Sequence, residues 1–128
     1  MALYVNGKKV FNSLVVDGDI DYLESWVITN KNTTMVSHLT YLPDGSLSDV
    51  VSAGQAGNTT LTLGDVSTYI GASSNWLWQA TATADMKYKI YDVVNQSLSE
   101  LRTATANTVI LQGVPISGNY VYEIRRYS

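Results

Sequence analysis

Apolar and polar residues alternate with a period of two along much of this chain, the signature of strands that bury one face. In Trp76-Leu77-Trp78-Gln79-Ala80-Thr81-Ala82-Thr83-Ala84, tryptophan and alanine fall on one side and leucine, glutamine and threonine on the other. The pattern resumes after Asp85, with Met86, Tyr88 and Ile90 on one face and Lys87, Lys89 and Tyr91 on the other. A helix, which repeats every 3.6 residues, cannot produce either run. Together the two runs predict an antiparallel sheet with one wet face, and they nominate Trp76, Trp78, Met86, Tyr88 and Ile90 as core.

Turn residues divide the rest of the chain into short segments. Asn6-Gly7 between Leu3-Tyr4-Val5 and Lys9-Val10-Phe11 is a strong hairpin signal, because a type I′ turn needs positive φ at both central positions. Further strands are expected over 13–16, 25–29, 33–42, 46–52 and 59–63, the last with Leu61 and Leu63 inward and continued by 66–70. Two more are expected over 108–112 and 119–127. Asn30-Lys31-Asn32 and Pro43-Asp44-Gly45 separate strands, 53–58 reads as a small-residue loop, and 113–118, which holds Pro115, as a loop or sheet edge. Ser97-Leu98-Ser99-Glu100 departs from the pattern. It fits a capping box, and Val94, Leu98 and Leu101 are spaced for one helical face, which predicts at most one short helix. With no internal repeat or linker, residues 1–128 are expected to form an all-β single domain, an antiparallel β-sandwich or jelly roll, with a small barrel as the remaining alternative.

A chain of 128 residues can bury a core of its own. Charged residues make up only 15% of it, against about 25% in ordinary soluble chains, and neutral polar residues fill the difference. Ser, Thr, Asn and Tyr can be desolvated against a partner without the cost of a full charge, which favours a component of an assembly. A net charge of −3 supplies no footprint for nucleic acid. The local basic concentrations, Lys87, Lys89, Arg125 and Arg126, read as solvent-facing strand residues that discourage edge pairing. With no cysteine there is no disulfide, thiolate ligand or thiol nucleophile. The opening Met1-Ala2-Leu3-Tyr4-Val5-Asn6-Gly7-Lys8-Lys9 lacks the order of a signal peptide, and no apolar run approaches the roughly 18 residues of a membrane span. The chain is therefore expected to be soluble, complete and without membrane contact.

Candidate chemistry is sparse. Asp17-Gly18-Asp19-Ile20-Asp21 opens like a calcium loop, but Tyr22 stands where an EF-hand needs glycine and Ile28 where it needs glutamate. An exposed acidic turn is expected there, an irregular calcium site from Asp17, Asp19, Asp21 and Glu24 being the lesser alternative. His38, the only histidine, lies in a strand-like run without the glycines of a nucleophile elbow, as a hydrogen-bonded or surface strand residue would. Gly54-Gln55-Ala56-Gly57 has neither the lysine of a P-loop nor a helix after it. Nothing selects a glycosidase pair among the eleven acidic residues. No enzyme activity, cofactor or metal is expected. Three tryptophans and nine tyrosines raise carbohydrate binding, since sugars stack on exposed rings. Trp76 and Trp78 share a face with alanines and belong to the core, which leaves Trp26 and scattered tyrosines for the platform of a lectin-like module, the alternative function.

As a cysteine-free all-β chain opening with the hairpin Leu3-Tyr4-Val5-Asn6-Gly7-Lys8-Lys9-Val10, this protein resembles small phage virion proteins. As a class these decorate capsids, form fibres or build tail and neck parts. The resemblance implies a structural role in a virion and carries over no functional residues; outside a virion, the lack of a signal-peptide pattern leads to the expectation of a cytoplasmic location. The residues themselves nominate a contact. An isolated hairpin is marginal in water, so Leu3, Tyr4, Val5, Val10 and Phe11 must pack on their own domain or on a neighbour. A terminal hairpin can reach outward and add its strands to another sheet. Residues 1–12 are thus expected to be an interaction arm, and the partners to be proteins, in a homo-oligomer or larger assembly.

Overall fold

The computed structural model describes residues 3–5, 8–10, 22–30, 34–71, 77–115 and 119–128. In chain order the strands are β1 (Leu3–Val5), β2 (Lys8–Val10), β3 (Glu24–Asn30), β4 (Thr34–Tyr41), β5 (Leu47–Gln55), β6 (Thr59–Leu63) and β7 (Val66–Ile70). They are followed by β8 (Leu77–Ala82), β9 (Met86–Asp92), β10 (Ser97–Leu98), β11 (Arg102–Ala104), β12 (Thr108–Pro115) and β13 (Val121–Arg126). No helix occurs among the described residues. All pairings are antiparallel.

Two sheets pack face to face. The larger runs β10-β9-β13-β3-β4-β5, with β11 also beside β9, and the smaller runs β12-β8-β7-β6. Alternate residues from each meet in one apolar layer: Trp26, Ile28, Val36, Met86, Tyr88, Ile90 and Ile124 from the larger, Val66, Ile70, Trp78, Ala80, Ala82 and Ile110 from the smaller. This is the β-sandwich that the alternation predicts. Trp78, Met86, Tyr88 and Ile90 are buried together as expected, and Leu61 and Leu63 pack against them; Trp76 lies outside the described residues.

Several local expectations are corrected. The runs flanking Asp85 do not pair: β8 belongs to the smaller sheet and β9 to the larger, so 83–85 is an arch between layers. Thr83 N–H donates to Asp65 O at 2.9 Å and Asp85 Oδ1 accepts Ala106 N–H at 2.8 Å, which fixes the arch. Period-two alternation is the same whether two strands share a sheet or face each other across a core. The 53–58 loop shrinks, because β5 continues to Gln55 along β4 and only then crosses to β6. Residues 66–70 do not prolong 59–63 but return beside it, through a turn with Gly64 at φ 57. No helix forms at 94–101. Asp92 accepts from Asn95 N–H and Nδ2, Gln96 takes φ 53, and Ser97 folds back opposite Asp92 as β10. That turn sets Val94, Leu98 and Leu101 on exposed positions instead of one helical face. β12 extends through Gly113 to Pro115, which a proline can do because β12 is an edge strand. The expected strand over 13–16 falls outside the described residues.

Candidate interaction surfaces

The hairpin predicted around Asn6-Gly7 is present in the backbone: Leu3 lies opposite Val10, Tyr4 opposite Lys9 and Val5 opposite Lys8. Among the described residues β1 and β2 make a two-stranded sheet of their own, paired with neither layer of the sandwich. Leu3, Tyr4, Val5 and Val10 are thus brought onto one hairpin, while Phe11 lies outside the described residues.

The two lateral edges of the sandwich differ. At one, β5 ends the larger sheet and β6 the smaller. β5 is nine residues long, and Val50 and Val51 are 45% and 44% exposed. Asp49 is the only charged residue in 46–64. A bulge at Ser48, where Thr40 pairs with Asp49 but Tyr41 with Leu47, leaves Asp49 to Gln55 regular. Gln55 closes the end of the edge: its Nε2 donates to Thr59 O and Thr68 O at 3.0 and 2.8 Å, and its Oε1 accepts from Thr68 Oγ1 at 2.7 Å. At the opposite edge the strand material is fragmentary. β10 has two residues and β11 three, β12 carries two register shifts and Pro115, and Glu100 and Arg102 form an exposed ion pair. Its own backbone hydrogen bond and the Arg102 guanidinium hold the Glu100 carboxyl below its usual range.

Behind the β5 and β6 edge sits a polar lattice that the sequence did not disclose. His38 stacks on Trp26 with centroids 4.8 Å apart and planes within 4°, and its Nε2 lies 2.7 Å from Glu24 Oε1. Glu24 Oε2 accepts from Arg126 Nη1 at 3.1 Å, and the same nitrogen donates to Asp65 Oδ2 at 2.6 Å, tying the larger sheet to the β6–β7 turn. Trp26 Nε1 donates to Leu63 O at 2.7 Å. His38 is therefore the hydrogen-bonded strand histidine expected, its described hydrogen bond going to a carboxylate and its ring face to an indole. The arrangement orients and braces, and it engages Glu24, the one member of the conjectured calcium set within the described residues. Asp17, Asp19 and Asp21 lie outside them. Among the described residues no three acidic or histidine side chains converge to hold a metal.

Trp26 is fully buried, so it cannot serve as the sugar platform that its isolation suggested. Strand register decides this, since Trp26 points into the sandwich beside Ile124 and His38. A surface depression of about 360 Å³ is lined, among the described residues, by Asp92, Ser97, Ser99, Glu100 and Arg102 with Ile90, Leu98 and Leu111, none of them aromatic.

Arg125 also departs from expectation. It is fully buried on the outer face of the larger sheet, where its Nε donates to Glu123 Oε1 at 2.7 Å. Its guanidinium lies 5.0 Å from the Tyr22 ring centroid and 4.7 Å from that of Tyr91, the flat stacking that desolvated arginine favours. Tyr41 meets Tyr22 edge to face, and burial, with Glu123 nearby, raises its phenol above the ordinary value. Burial and the neighbouring Asp92 likewise raise Tyr122. Lys89 does not stand free either, its ammonium 5.1 Å above the Tyr127 ring. Arg125, Ser25 and Tyr91 share a face only once β13 is registered between β3 and β9, so the sequence carried no signal for this cluster.

A scan against protein-family models and searches of curated proteins and of solved structures return no match to the chain. Among the described residues no helix is long and apolar enough to cross a membrane.

Proposed function

We propose that this protein is a non-enzymatic structural subunit that assembles with protein partners, in the setting of a virion accessory component. The observation that carries this reading is the separate β1–β2 sheet: a two-stranded hairpin is marginal alone in water, and this one pairs with no other strand among the described residues. Such an element gains stability by laying its strands or its apolar side chains on another chain. The neutral, Ser/Thr/Asn-rich surface fits the same role, because it can be desolvated at little cost. The virion setting rests on the resemblance of the opening hairpin and the cysteine-free all-β composition to that class.

Light scattering on the intact chain and on a chain lacking 1–12, with circular dichroism on both, tests the role. The intact chain is expected as a multi-copy assembly and the shortened one as a folded sandwich of lower mass. An unchanged mass, or an unfolded truncation, makes the hairpin ordinary core and overturns the proposal.

A further inference from the structure

The β5 edge carries an inference independent of the hairpin. β5 pairs with β4 alone, so along its other side the backbone N–H and C=O groups of a long, regular strand meet no strand of the described chain. Such an edge is a template for another strand unless it is blocked by lysine, proline, bulges or brevity. The opposite edge of this same sandwich uses most of those devices: strands of two and three residues, two register shifts, Pro115 and a charged pair. β5 has one bulge near its start and one aspartate, and it presents two adjacent valines, both close to half exposed.

We propose that β5 is a pairing surface whose occupant is the β5 strand of a second copy of this chain. Two copies would join antiparallel across a two-fold axis at Val51, merging the two larger sheets into one. Opposed residues in an antiparallel ladder share a face, so the axis must pass through a residue and not between two. Within the regular stretch Asp49–Gln55, an axis at Val51 opposes an exposed valine to its own copy and keeps the pairs on either side of it, out to Asp49 and Ala53, clear of the bulge. It sets Val51 against its own copy and Val50 against Ser52, short of the bulge at Ser48. The single charge is accommodated as well, because Asp49 falls opposite Ala53 and like charges are never opposed. β-branched pairs and the absence of opposed charges are what stabilise such a ladder, and a two-fold dimer is the commonest closed assembly.

The chain has no cysteine, so one can be introduced on the axis without competition. Directly opposed Cα atoms lie about 4.5–5.5 Å apart, within disulfide reach. Under mild oxidation the full-length Val51→Cys chain is expected to run as a covalent dimer, while Val109→Cys, comparably exposed on β12 at the other edge, stays uncrosslinked. In the full chain, Val51→Lys opposes two ammonium groups and is expected to lower the scattering mass about twofold with the β spectrum retained; Val109→Lys should leave the mass unchanged. No dimer at position 51, or equal crosslinking at 51 and 109, overturns the proposal. Specific crosslinking at 51 with a mass indifferent to loss of 1–12 would keep this edge and dismiss the hairpin arm, and the converse result would do the reverse.

Discussion

The two lateral edges of the sandwich rest on one core and end in opposite ways. Where β5 and β6 finish their sheets, the strands are continuous, the surface between Ser46 and Gly64 carries a single charge, and paired valines face outward. Where β10, β11 and β12 finish them, the return strand beside β9 breaks into two pieces. Between the pieces Ser99 substitutes for ladder partners, its N–H donating to Ile90 O and its Oγ accepting from Ile90 N–H, both at 2.9 Å. Blocking an edge is thus a matter of local sequence, separable from the packing that supports it, and this chain spends its blocking devices on one side.

The largest expected effect tests the shared foundation. Trp78 is fully buried on β8, beside the fragmentary edge, and Trp78→Ala should lower unfolding free energy by about 3–5 kcal/mol in urea titration. A loss below about 1 kcal/mol would mean that the layer between the sheets is not the core. Trp26→Phe addresses the β5 and β6 side alone. It removes the donor to Leu63 O, and losing that hydrogen bond should cost about 1–3 kcal/mol, with faster amide exchange in β6 and β7 than in β12. Uniform exchange across both edges would show that the indole does not anchor this side.

Gly64→Ala acts on the same side through the backbone. At φ 57 an L-residue loses about 1–2 kcal/mol, and the new Cβ would lie 2.7 Å from His38 Cε1, so the ring must shift off Trp26. Denaturation should show the loss, and the Trp26 fluorescence should change with it. An alanine variant as stable as the parent would refute the strained turn.

Alkaline titration follows next in size and samples both sides, Tyr41 on β4 beside β5 and Tyr122 opposite Asp92 near the start of β10. Both phenols ionise less readily in the folded chain than their ordinary 10.0, so the folded state holds the proton longer. Stability is therefore full below pH 10.0 and falls as pH rises through the raised folded values. Tyr41→Phe and Tyr122→Phe should each flatten that decline in thermal melts; a decline unaltered in both would assign it to other groups. The smallest effect is expected of Pro115→Thr, which restores one donor to β12 and should change stability by less than about 0.5 kcal/mol without raising the scattering mass, because both register shifts remain. A larger assembly in that variant would make the proline alone responsible for keeping the edge closed.

The alternation of Trp78, Ala80 and Ala82, and of Met86, Tyr88 and Ile90, was enough to specify strands, their buried faces and an all-β class, because burial of one pleated face is a property of a strand by itself. The pairing of Leu3–Val5 with Lys8–Val10 was legible for a similar reason, since the Asn-Gly signal between them is local in sequence. Elsewhere pairing was not legible. Whether β8 and β9 share a sheet, whether Trp26 faces water and whether Arg125 stands on the surface all depend on which distant strand lies alongside, and a period of two is silent on that. The helix expected at 94–101 failed on the same ground, because the polar contacts of Asp92 and the ladder of β9 outweighed a weak capping pattern. By itself, then, the sequence determined which residues could be buried and where the chain must turn. The tertiary structure alone decided which layer each strand joins, which charges are enclosed with partners and which strands end the sheets, because those outcomes are set by contacts between residues as far apart as Glu24 and Arg126.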